Sequence, residues 1–435
     1  MNKNRIFNNV KWMVVCKTLQ SLLQLIVGML TARYLGPSDY GLINYAKSIV
    51  AFAIPFVQLG LDATLVKELI DHPEQEGKIV GTSLVVGVVS GFAWVALIGG
   101  FVSVFNANET RTILVCLLYS LSVVFQATTL IQYWYHSKLQ AKYPSIMQLI
   151  TYVVVSAYKI YLLAVGANVY WFALAYSIEF GIIGFSLLVI YRKGETQKLS
   201  FSFVLARQLV ARSHPYIWAA LMVTVFQNTD HIMLKMMMGN EENGFYTAAI
   251  TAVGVCQYVY VAIIDSMRPV IVEQKTNNTK EYENSLSKLY GIIFYLSLLQ
   301  GIGFTVFADL IIRIMYGAEY MAAAPVVRIL VWYVAFSFMG MIRNIWILAE
   351  EKQSCLWKIN LMGIIINSCV NALLIPRYGA SGAAVASLMT QFLMNFCMGF
   401  VYRPLRENNK ILIKGLSPVW LLKAIRSKSV RDGLC

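Results

Sequence analysis

The chain has 435 residues, of which 58% are hydrophobic and only 13% are charged, and its formal net charge at pH 7 is +14. A water-soluble core does not need so large an apolar fraction, so the composition indicates an integral membrane protein. The positive charge is explained by membrane topology, so we expect no nucleic-acid partner.

The apolar segments predict twelve membrane-spanning helices when the chain is read in windows of about 20 residues. In chain order, the predicted spans are 11–32, 41–62, 79–104, 112–133, 145–165, 171–191, 216–238, 246–267, 289–308, 326–348, 359–375 and 383–402. No small-residue cleavage site follows the first apolar run, so we expect a retained span and not a signal peptide. The predicted fold class is therefore an all-α, multi-pass membrane protein.

The distribution of basic residues predicts the orientation of these spans. If both termini are cytoplasmic, 26 of the 36 Lys and Arg residues lie in inner segments, counting Lys11 at the inner edge of the first span, and only four lie outside. The four outer residues are Arg33, Arg111, Arg313 and Arg377. Because Lys and Arg concentrate in cytoplasmic loops, we predict that the N-terminus and the C-terminus both face the cytoplasm.

The span pattern divides the chain into two halves. We predict an N-terminal six-helix lobe at 1–191, a cytoplasmic amphipathic linker at 192–215, a C-terminal six-helix lobe at 216–402 and a basic cytoplasmic tail at 403–435. The linker suits a position along the inner membrane surface. For the tail, two interpretations stay open: contact with anionic lipid headgroups, or a solvated segment that only reflects topology.

The two halves carry related turns. The segment LGPSDYGLINYA at Leu35–Ala46 aligns without a gap with MGNEENGFYTAA at Met238–Ala249, at an offset of 203 residues. The aligned glycines are Gly36 with Gly239 and Gly41 with Gly244. Glycines at this spacing suit a tight turn that requires positive φ. We therefore predict structural turns at these glycines and two lobes related by a pseudo-twofold axis along the membrane normal.

Charged side chains inside the apolar spans are the strongest functional signal. A charge in hydrocarbon costs about 2.5–3.5 kcal/mol on insertion scales, so it usually faces a partner or a water-filled cavity. The candidate cavity cations are Lys17, Lys47, Lys159, Lys235 and Arg343. Lys47, Lys159 and Lys17 lie about 9 Å inside their predicted spans, whereas the other two lie close enough to an edge to snorkel.

Two acidic residues lie in the spans as well. Asp230 is near the middle of the seventh predicted span, and Glu179 is eight residues into the sixth. Each suits either a buried network with an ion pair to a lysine or a site for a coupling proton or Na⁺. Sequence spacing does not decide between these alternatives.

Three segments resemble the polysaccharide-transport branch of the MATE-like flippases, and above all the Wzx-type O-antigen and capsule flippases. The segments are ARYLGPSDYGLINYAKS, QNTDHIMLKMMMGNEENGFYTAA and NALLIPRYGASGAAVASL. The resemblance covers essentially the whole chain, and its motifs are glycine turns and packing positions. Lipid II flippases of the same superfamily have fourteen spans, so the twelve predicted here favour the Wzx-type branch.

This resemblance implies a function. It implies translocation of an undecaprenyl-diphosphate-linked oligosaccharide to the periplasmic leaflet of the bacterial inner membrane, by alternating access between two six-helix lobes. The basic side chains in the spans would face the diphosphate. Implied partners are membrane lipids, a polysaccharide polymerase and a chain-length regulator of O-antigen, capsule or lipopolysaccharide synthesis.

Catalytic and metal motifs are missing from the sequence. There is no G-x-x-x-x-G-K-[ST], H-E-x-x-H or G-x-S-x-G motif, no C-x-x-C pair and no H-x-x-x-H pair. We therefore expect no enzyme activity, no catalytic residue, no metal site and no cofactor. Two alternatives stay open: a proton- or Na⁺-coupled multidrug exporter of the same fold, disfavoured by the net basic interior, and a membrane glycan polymerase, disfavoured because no large outer loop is predicted.

Overall fold

The computed structural model describes the backbone of residues 3–58, 62–194 and 197–423, and the side chains of these residues except 3–11, 14 and 62–64. Every regular element in these ranges is helical, which confirms the predicted all-α membrane fold. Within them, nine helical segments are long and apolar enough to cross a membrane, or ten if the bent pair Asn240–Gly254 and Gln257–Asn277 forms one span.

The chain divides into two compact units, with the boundary between Lys235 and Met236. The N-terminal unit is built from α1 (Lys3–Ala51), α2 (Ile54–Val57), α3 (Asp62–Asp71), α4 (Glu76–Phe105), α5 (Thr110–Gln126), α6 (Ile131–Ser137), α7 (Lys142–Ala164), α8 (Val169–Lys193) and α9 (Phe203–Met238). The C-terminal unit contains α10 (Asn240–Gly254), α11 (Gln257–Asn277), α12 (Thr279–Met315), α13 (Ala323–Ala349), α14 (Leu356–Phe392), α15 (Met398–Val401) and α16 (Arg406–Leu416).

Two of the long helices are interrupted at glycines. Gly36 breaks α1, with φ 71° and ψ 172°, and Gly379 breaks α14, with φ 54° and ψ −132°. Each break falls between two of the predicted spans, so one long helical segment corresponds to two predicted spans. The count of twelve spans stays a prediction.

Positive φ marks a set of five glycines that join successive long helices. They are Gly36, Gly166, Gly239, Gly317 and Gly379. The backbone at Gly239, with φ 100° and ψ −176°, is close to that at Gly36. This region of φ and ψ is essentially restricted to glycine, because a Cβ clashes there. Gly41 and Gly244 lie inside helices, so the expected positive φ applies only to the first glycine of each aligned pair.

The helix boundaries follow the same offset of 203 residues. The helix after Gly36 ends at Ala51, and the helix after Gly239 ends at Gly254. The start of α4 at Glu76 corresponds in the same way to the start of α12 at Thr279. Matching boundaries over two helices extend the duplication beyond the glycine turns that first indicated it.

The predicted linker at 192–215 does not form a single surface element. Residues 197–202 form no regular element, and Ser200 and Ser202 donate backbone N–H groups to Gly77 O at 3.2 Å and Thr82 Oγ1 at 3.1 Å on α4. From Phe203 the chain is helical and continues as α9 without a break. A Cβ at position 77 would overlap the Lys198 carbonyl oxygen. Because Gly77 has no side chain, residues 197–202 can pack closely on α4.

The boundary between the units therefore falls after the seventh predicted span and not within the linker. The beginning of α9 is fastened to the N-terminal unit by Arg212, whose Nη1 lies 3.0 Å from Glu68 Oε2 on α3. The end of α9 is fastened to the same unit by Lys235, which pairs with Glu109. Both anchors keep the helix with the preceding six predicted spans.

The basic tail, predicted as a lipid-contacting or solvated segment at 403–435, is folded as far as it is described. Its helix α16 packs against α12, and the Gly291 Cα approaches Gly415 O so closely that an added Cβ would lie 2.6 Å from it. Residues 424–435 lie outside the described ranges. The segment after α8 thus packs on α4, and the segment after α15 packs on α12, the helix that corresponds to α4 at the offset of 203 residues.

Substituting the turn glycines tests their backbone role. Gly239→Ala is expected to cost about 1–3 kcal/mol of stability through backbone strain alone, because open space surrounds the site. Gly379→Ala is expected to cost more, since the added Cβ would also overlap the Glu242 carboxylate. Thermal unfolding of the purified protein measures both effects.

A matched control is Gly303→Ala, within α12, where φ is helical and no atom lies near an added Cβ. This change is expected to be neutral or to stabilise by up to about 1 kcal/mol. Equal effects at Gly303 and Gly239 would show that the positive φ at Gly239 is not a structural requirement.

Candidate functional site

Helix α1 presents a buried stripe to the core of the N-terminal unit and a charged side chain away from it. The stripe consists of Leu42, Tyr45, Ala46, Ile49 and Val50, at the spacing of one helical face. Lys47 lies on a different face of the same helix, about 130° around the axis from the centre of this stripe at about 100° per residue. The apolar stripe therefore fixes the direction in which Lys47 points.

Packing of α1 against α7, and of α7 against α8, brings three predicted site residues together. Lys47, Lys159 and Glu179 interact electrostatically, and Glu179 interacts with both lysines. We call these three residues the charged triad. They come from three different helices, so no local sequence motif indicates that they meet.

The charged triad is enclosed by protein but is not sealed. Lys47 is exposed and Lys159 is half-buried, whereas Glu179 is only 5% exposed. Protein nevertheless surrounds Lys47 closely enough to desolvate its ammonium group. A side chain that is both accessible and enclosed lies in a recess of the unit and not on the outer face of a helix.

The triad carries a surplus of positive charge. Two lysines face one carboxylate, and no ion pair within 4.0 Å joins any two of them among the described side chains. Glu179 is close enough to moderate the lysine charges but does not neutralise both. Two lysine Nζ groups therefore stay available to an anion.

Aromatic side chains flank the triad. The rings of Tyr119 and Tyr176 stack with centroids 4.3 Å apart, and Tyr176 meets Phe180 edge-on at 5.0 Å. Glu179 interacts electrostatically with both tyrosine hydroxyls. The recess thus combines charge, hydroxyl groups and flat apolar surface. Sequence reasoning did not identify these tyrosines, because the abundance of Tyr and Trp is explained equally well by interfacial belts.

Lys235 has a different environment from the triad lysines. Its side chain is 4% exposed, and Nζ lies 2.6 Å and 2.7 Å from the two carboxylate oxygens of Glu109. The ammonium group also lies 5.4 Å from the ring centroid of Tyr45. Thr112 Oγ1 donates to the same carboxylate at 2.6 Å. Lys235 is therefore a paired residue that anchors α9, and it does not snorkel.

Glu109 is the partner that sequence reasoning missed. Although burial acts to raise the pKa of the Glu109 carboxyl, hydrogen bonds from Lys235 and Thr112 outweigh it and hold that pKa below its ordinary value. The only sequence signal was an acidic residue at an outer turn, far from Lys235 in the chain. The pairing became visible only when the helices were placed.

Arg343 is buried as well, at 6% exposure, so it does not reach the surface by snorkelling. Its Nη1 donates to the Met394 carbonyl at 2.7 Å. Met394 belongs to a π-helical turn, Leu393–Cys397, between α14 and α15, where helical carbonyls lose their usual partners. This contact gives Arg343 a structural role at the turn, but the buried Nε of Arg343 has no hydrogen-bond partner among the described residues.

The remaining predicted site residues lie apart from these contacts. Lys17 is exposed and forms no ion pair with any described side chain. Asp230 is 6% exposed and takes part in a polar or electrostatic interaction, so it is not a free carboxylate. Within the described ranges, no group of three His, Cys, Asp or Glu residues is placed to hold a metal ion.

Comparisons with known proteins identify the family of the chain. A family model described as polysaccharide biosynthesis protein matches residues 6–275, more than half of the chain. The chain is 20% identical over 403 residues to the capsular polysaccharide biosynthesis protein CapF of Staphylococcus aureus, which covers 91% of this chain and 98% of the relative.

Solved structures of transporters share the fold. The lipid II flippase MurJ in an inward closed conformation superimposes with a TM-score of 0.72 at 14% identity, over 97% of this chain and 99% of that chain. An inward-facing multidrug resistance transporter of the MATE family, in the MOP superfamily, gives a TM-score of 0.66 at 12% identity, over 92% and 99% of the two chains. At such identities, the likeness establishes the fold alone.

The Lys235–Glu109 pair predicts unequal effects of removing its two members. Glu109→Gln leaves a buried ammonium group without a carboxylate and is expected to cost about 2–3 kcal/mol. Lys235→Met leaves a carboxylate whose side chain is 47% exposed, which water can solvate, so we expect about 1 kcal/mol or less. Unfolding of purified variants measures this difference.

The double variant provides the control, because it should be more stable than Glu109→Gln alone.

The pH dependence of this stabilisation has a defined sign. The pKa of the Glu109 carboxyl is lowered on folding. The ion pair therefore stabilises the fold above the unfolded-state pKa of about 4.3, and this stabilisation is lost as the pH falls through the folded-state pKa. A larger cost for Lys235→Met than for Glu109→Gln would contradict the assignment.

Proposed function

The chain belongs to the polysaccharide biosynthesis protein family, as the resemblance of its three segments predicted, and we propose that it is a flippase for oligosaccharides linked to undecaprenyl diphosphate. It would move them from the cytoplasmic to the periplasmic leaflet of the bacterial cytoplasmic membrane by alternating access. The observation that carries this proposal is that two lysines, Lys47 and Lys159, face only one carboxylate, that of Glu179, in one recess.

The chemistry of a lipid diphosphate matches this surplus. A diphosphate carries about two negative charges, and moving them into an apolar environment without counter-charge is prohibitive. The two lysines supply two compact cations on flexible stems that can follow a phosphate as the protein changes state. The hydroxyl of the half-buried Tyr176 can donate a hydrogen bond to a phosphate or sugar oxygen.

Glu179 has a separate task in this proposal. Without substrate, its carboxylate partly compensates the lysines and lowers the cost of keeping two like charges close together. When a diphosphate binds, the lysines exchange this partner for phosphate oxygens. The displaced carboxylate stays charged and repels the bound phosphate, and this repulsion favours release on the far side.

A multidrug exporter of the same fold fits the recess less well. Cationic drugs are held by acidic groups that have no competing cation. Here the one triad carboxylate is outnumbered by lysines, and Asp230 already has an interaction partner. No observation therefore favours this second function. A polysaccharide polymerase and a chain-length regulator would act on the flipped lipid-linked units.

The direct test of the activity is the fate of lipid-linked repeat units in a deletion strain. We expect them to accumulate on the cytoplasmic leaflet and surface polysaccharide to disappear, with both defects reversed by the wild-type gene. Normal surface polysaccharide, with no repeat units retained inside, would contradict the proposed function.

Complementation with triad variants tests the lysines. Lys47→Ala and Lys159→Ala are each expected to lower export at least about tenfold, because one charge-assisted contact to phosphate is worth about 1.5–3 kcal/mol. Lys47→Arg should retain part of the activity. Lys17→Ala is the matched control, since Lys17 is exposed and lies outside the triad.

The measurement is the amount of exported polysaccharide at equal protein abundance in the membrane. Full activity of Lys47→Ala and Lys159→Ala would remove the triad from the mechanism. A loss with Lys17→Ala as large as with Lys47→Ala would show that total basic charge matters and the recess does not.

Glu179→Gln separates binding from release. Removing the carboxylate should tighten binding of the lipid diphosphate and slow its transport, because the lysines lose the group that competes with phosphate. Steady-state export and equilibrium binding to the purified variant measure the two effects. Weaker binding by Glu179→Gln would contradict the competing role of this residue.

A further inference from the structure

The segment 403–423 is a folded part of the C-terminal unit. Tyr290 Oη on α12 donates to Asn408 Oδ1 at 2.9 Å, and Ser287 Oγ donates to the Ile411 carbonyl at 3.0 Å. Tyr295 Oη donates to the Leu416 carbonyl at 2.8 Å. These contacts fix the rotation of α16, so one face is held against α12 and the other is directed away from the protein.

The outward surface of the segment combines basic and apolar side chains. On α16, Arg406, Lys410 and Ile413 share one helical face and are exposed, and Arg403 and Lys423, before and after the helix, are exposed as well. Val419 and Leu422, which follow α16, are 62% and 58% exposed. A cluster of Lys and Arg directly after a membrane helix is typical of segments that contact anionic lipid headgroups.

The cations on this surface have no internal counter-charge. None of the four forms an ion pair with a described side chain, and the one carboxylate of α16, on Glu407, pairs with Lys352 at 3.2 Å. Lys414 on the same helix is directed to Asn284 at 2.8 Å. The outward surface therefore presents net positive charge that no described residue neutralises.

The position of this segment in the chain sets its depth. The last apolar helix, α15, ends at Val401, and Arg403 follows two residues later. A basic segment that begins directly at the end of a membrane helix lies within a Debye length of the lipid headgroups. Its apolar side chains are then at the level of the headgroup and acyl boundary.

We propose that residues 403–423 are a membrane-surface anchor that binds the phosphate headgroups of anionic lipids in the adjoining leaflet. The cations contact the headgroups, and Ile413, Val419 and Leu422 enter the interface. The Lys352–Glu407 ion pair connects the anchor to the turn between α13 and α14, so lipid binding stabilises that end of the C-terminal unit. This inference is independent of the transported substrate.

Hydrogen exchange of the full-length protein in nanodiscs tests the anchor. Discs of neutral phosphatidylcholine are compared with discs that contain phosphatidylglycerol, at low and high salt. Amides of residues 403–423 should exchange at least about tenfold more slowly with the anionic lipid, because ligand binding suppresses local opening. High salt should remove the difference, since the headgroup attraction is screened. Both leaflets are present in a disc, so the result does not depend on the orientation of the protein.

Two variants with equal charge change provide the comparison. The anchor variant combines Arg403→Gln, Arg406→Gln, Lys410→Gln and Lys423→Gln, which leave the contacts to α12 intact. The control variant combines Lys67→Gln, Lys193→Gln, Lys280→Gln and Lys358→Gln, all exposed and elsewhere in the chain. The anionic-lipid effect should vanish in the first and persist in the second.

Four outcomes would overturn the proposal. Exchange that is equal in neutral and anionic discs would show that the anchor does not bind headgroups. Protection in neutral discs by free glycerol phosphate would identify a soluble phosphate ligand. Protection in neutral discs only after a cytoplasmic protein is added would identify a protein partner. Loss of the lipid effect in the control variant as well would show a response to total charge.

Discussion

A charge inside a membrane protein needs a partner or access to water, and this constraint organises the whole molecule. Lys235 satisfies it with the Glu109 carboxylate, whereas Arg343 has the Met394 carbonyl and a buried Nε without a hydrogen-bond partner among the described residues. Lys47 and Lys159 share one carboxylate, that of Glu179, in a recess that is open to solvent. The same residue type thus stabilises one helix junction and leaves another site able to accept an anion.

Duplication supplies the framework, and the charges break its symmetry. Helix boundaries in the two units repeat at an offset of 203 residues, and so does the glycine-only backbone at Gly36 and Gly239. At this offset Lys47 corresponds to Ile250, so the triad is not repeated. A scaffold that both units need for folding has therefore been kept, while one unit carries the polar recess. Charges in only one unit of a shared scaffold fit the general rule that one fold can host different functions.

Much of the fold was accessible from the sequence, because long apolar segments and glycine turns are local signals. The pairing of charges was not. Depth along a helix ranked Lys47, Lys159 and Lys17 above Lys235 and Arg343, but depth does not reveal what another helix places opposite. Glu109 and Met394 became visible as partners only after packing was known. The division into compact units after Lys235 depends on contacts of the same kind, since Arg212 and Lys235, near the two ends of α9, pair with residues that are distant in sequence.

Direct binding of lipid phosphates to the purified protein, in discs of neutral lipid, tests the central claim that the triad recognises a diphosphate. Undecaprenyl diphosphate should bind at least about tenfold more tightly than undecaprenyl monophosphate, because the second phosphate engages the second lysine. The preference should disappear when Lys47 and Lys159 are both replaced by alanine. Equal affinity for the two lipids, or a preference that survives the double replacement, would contradict the account.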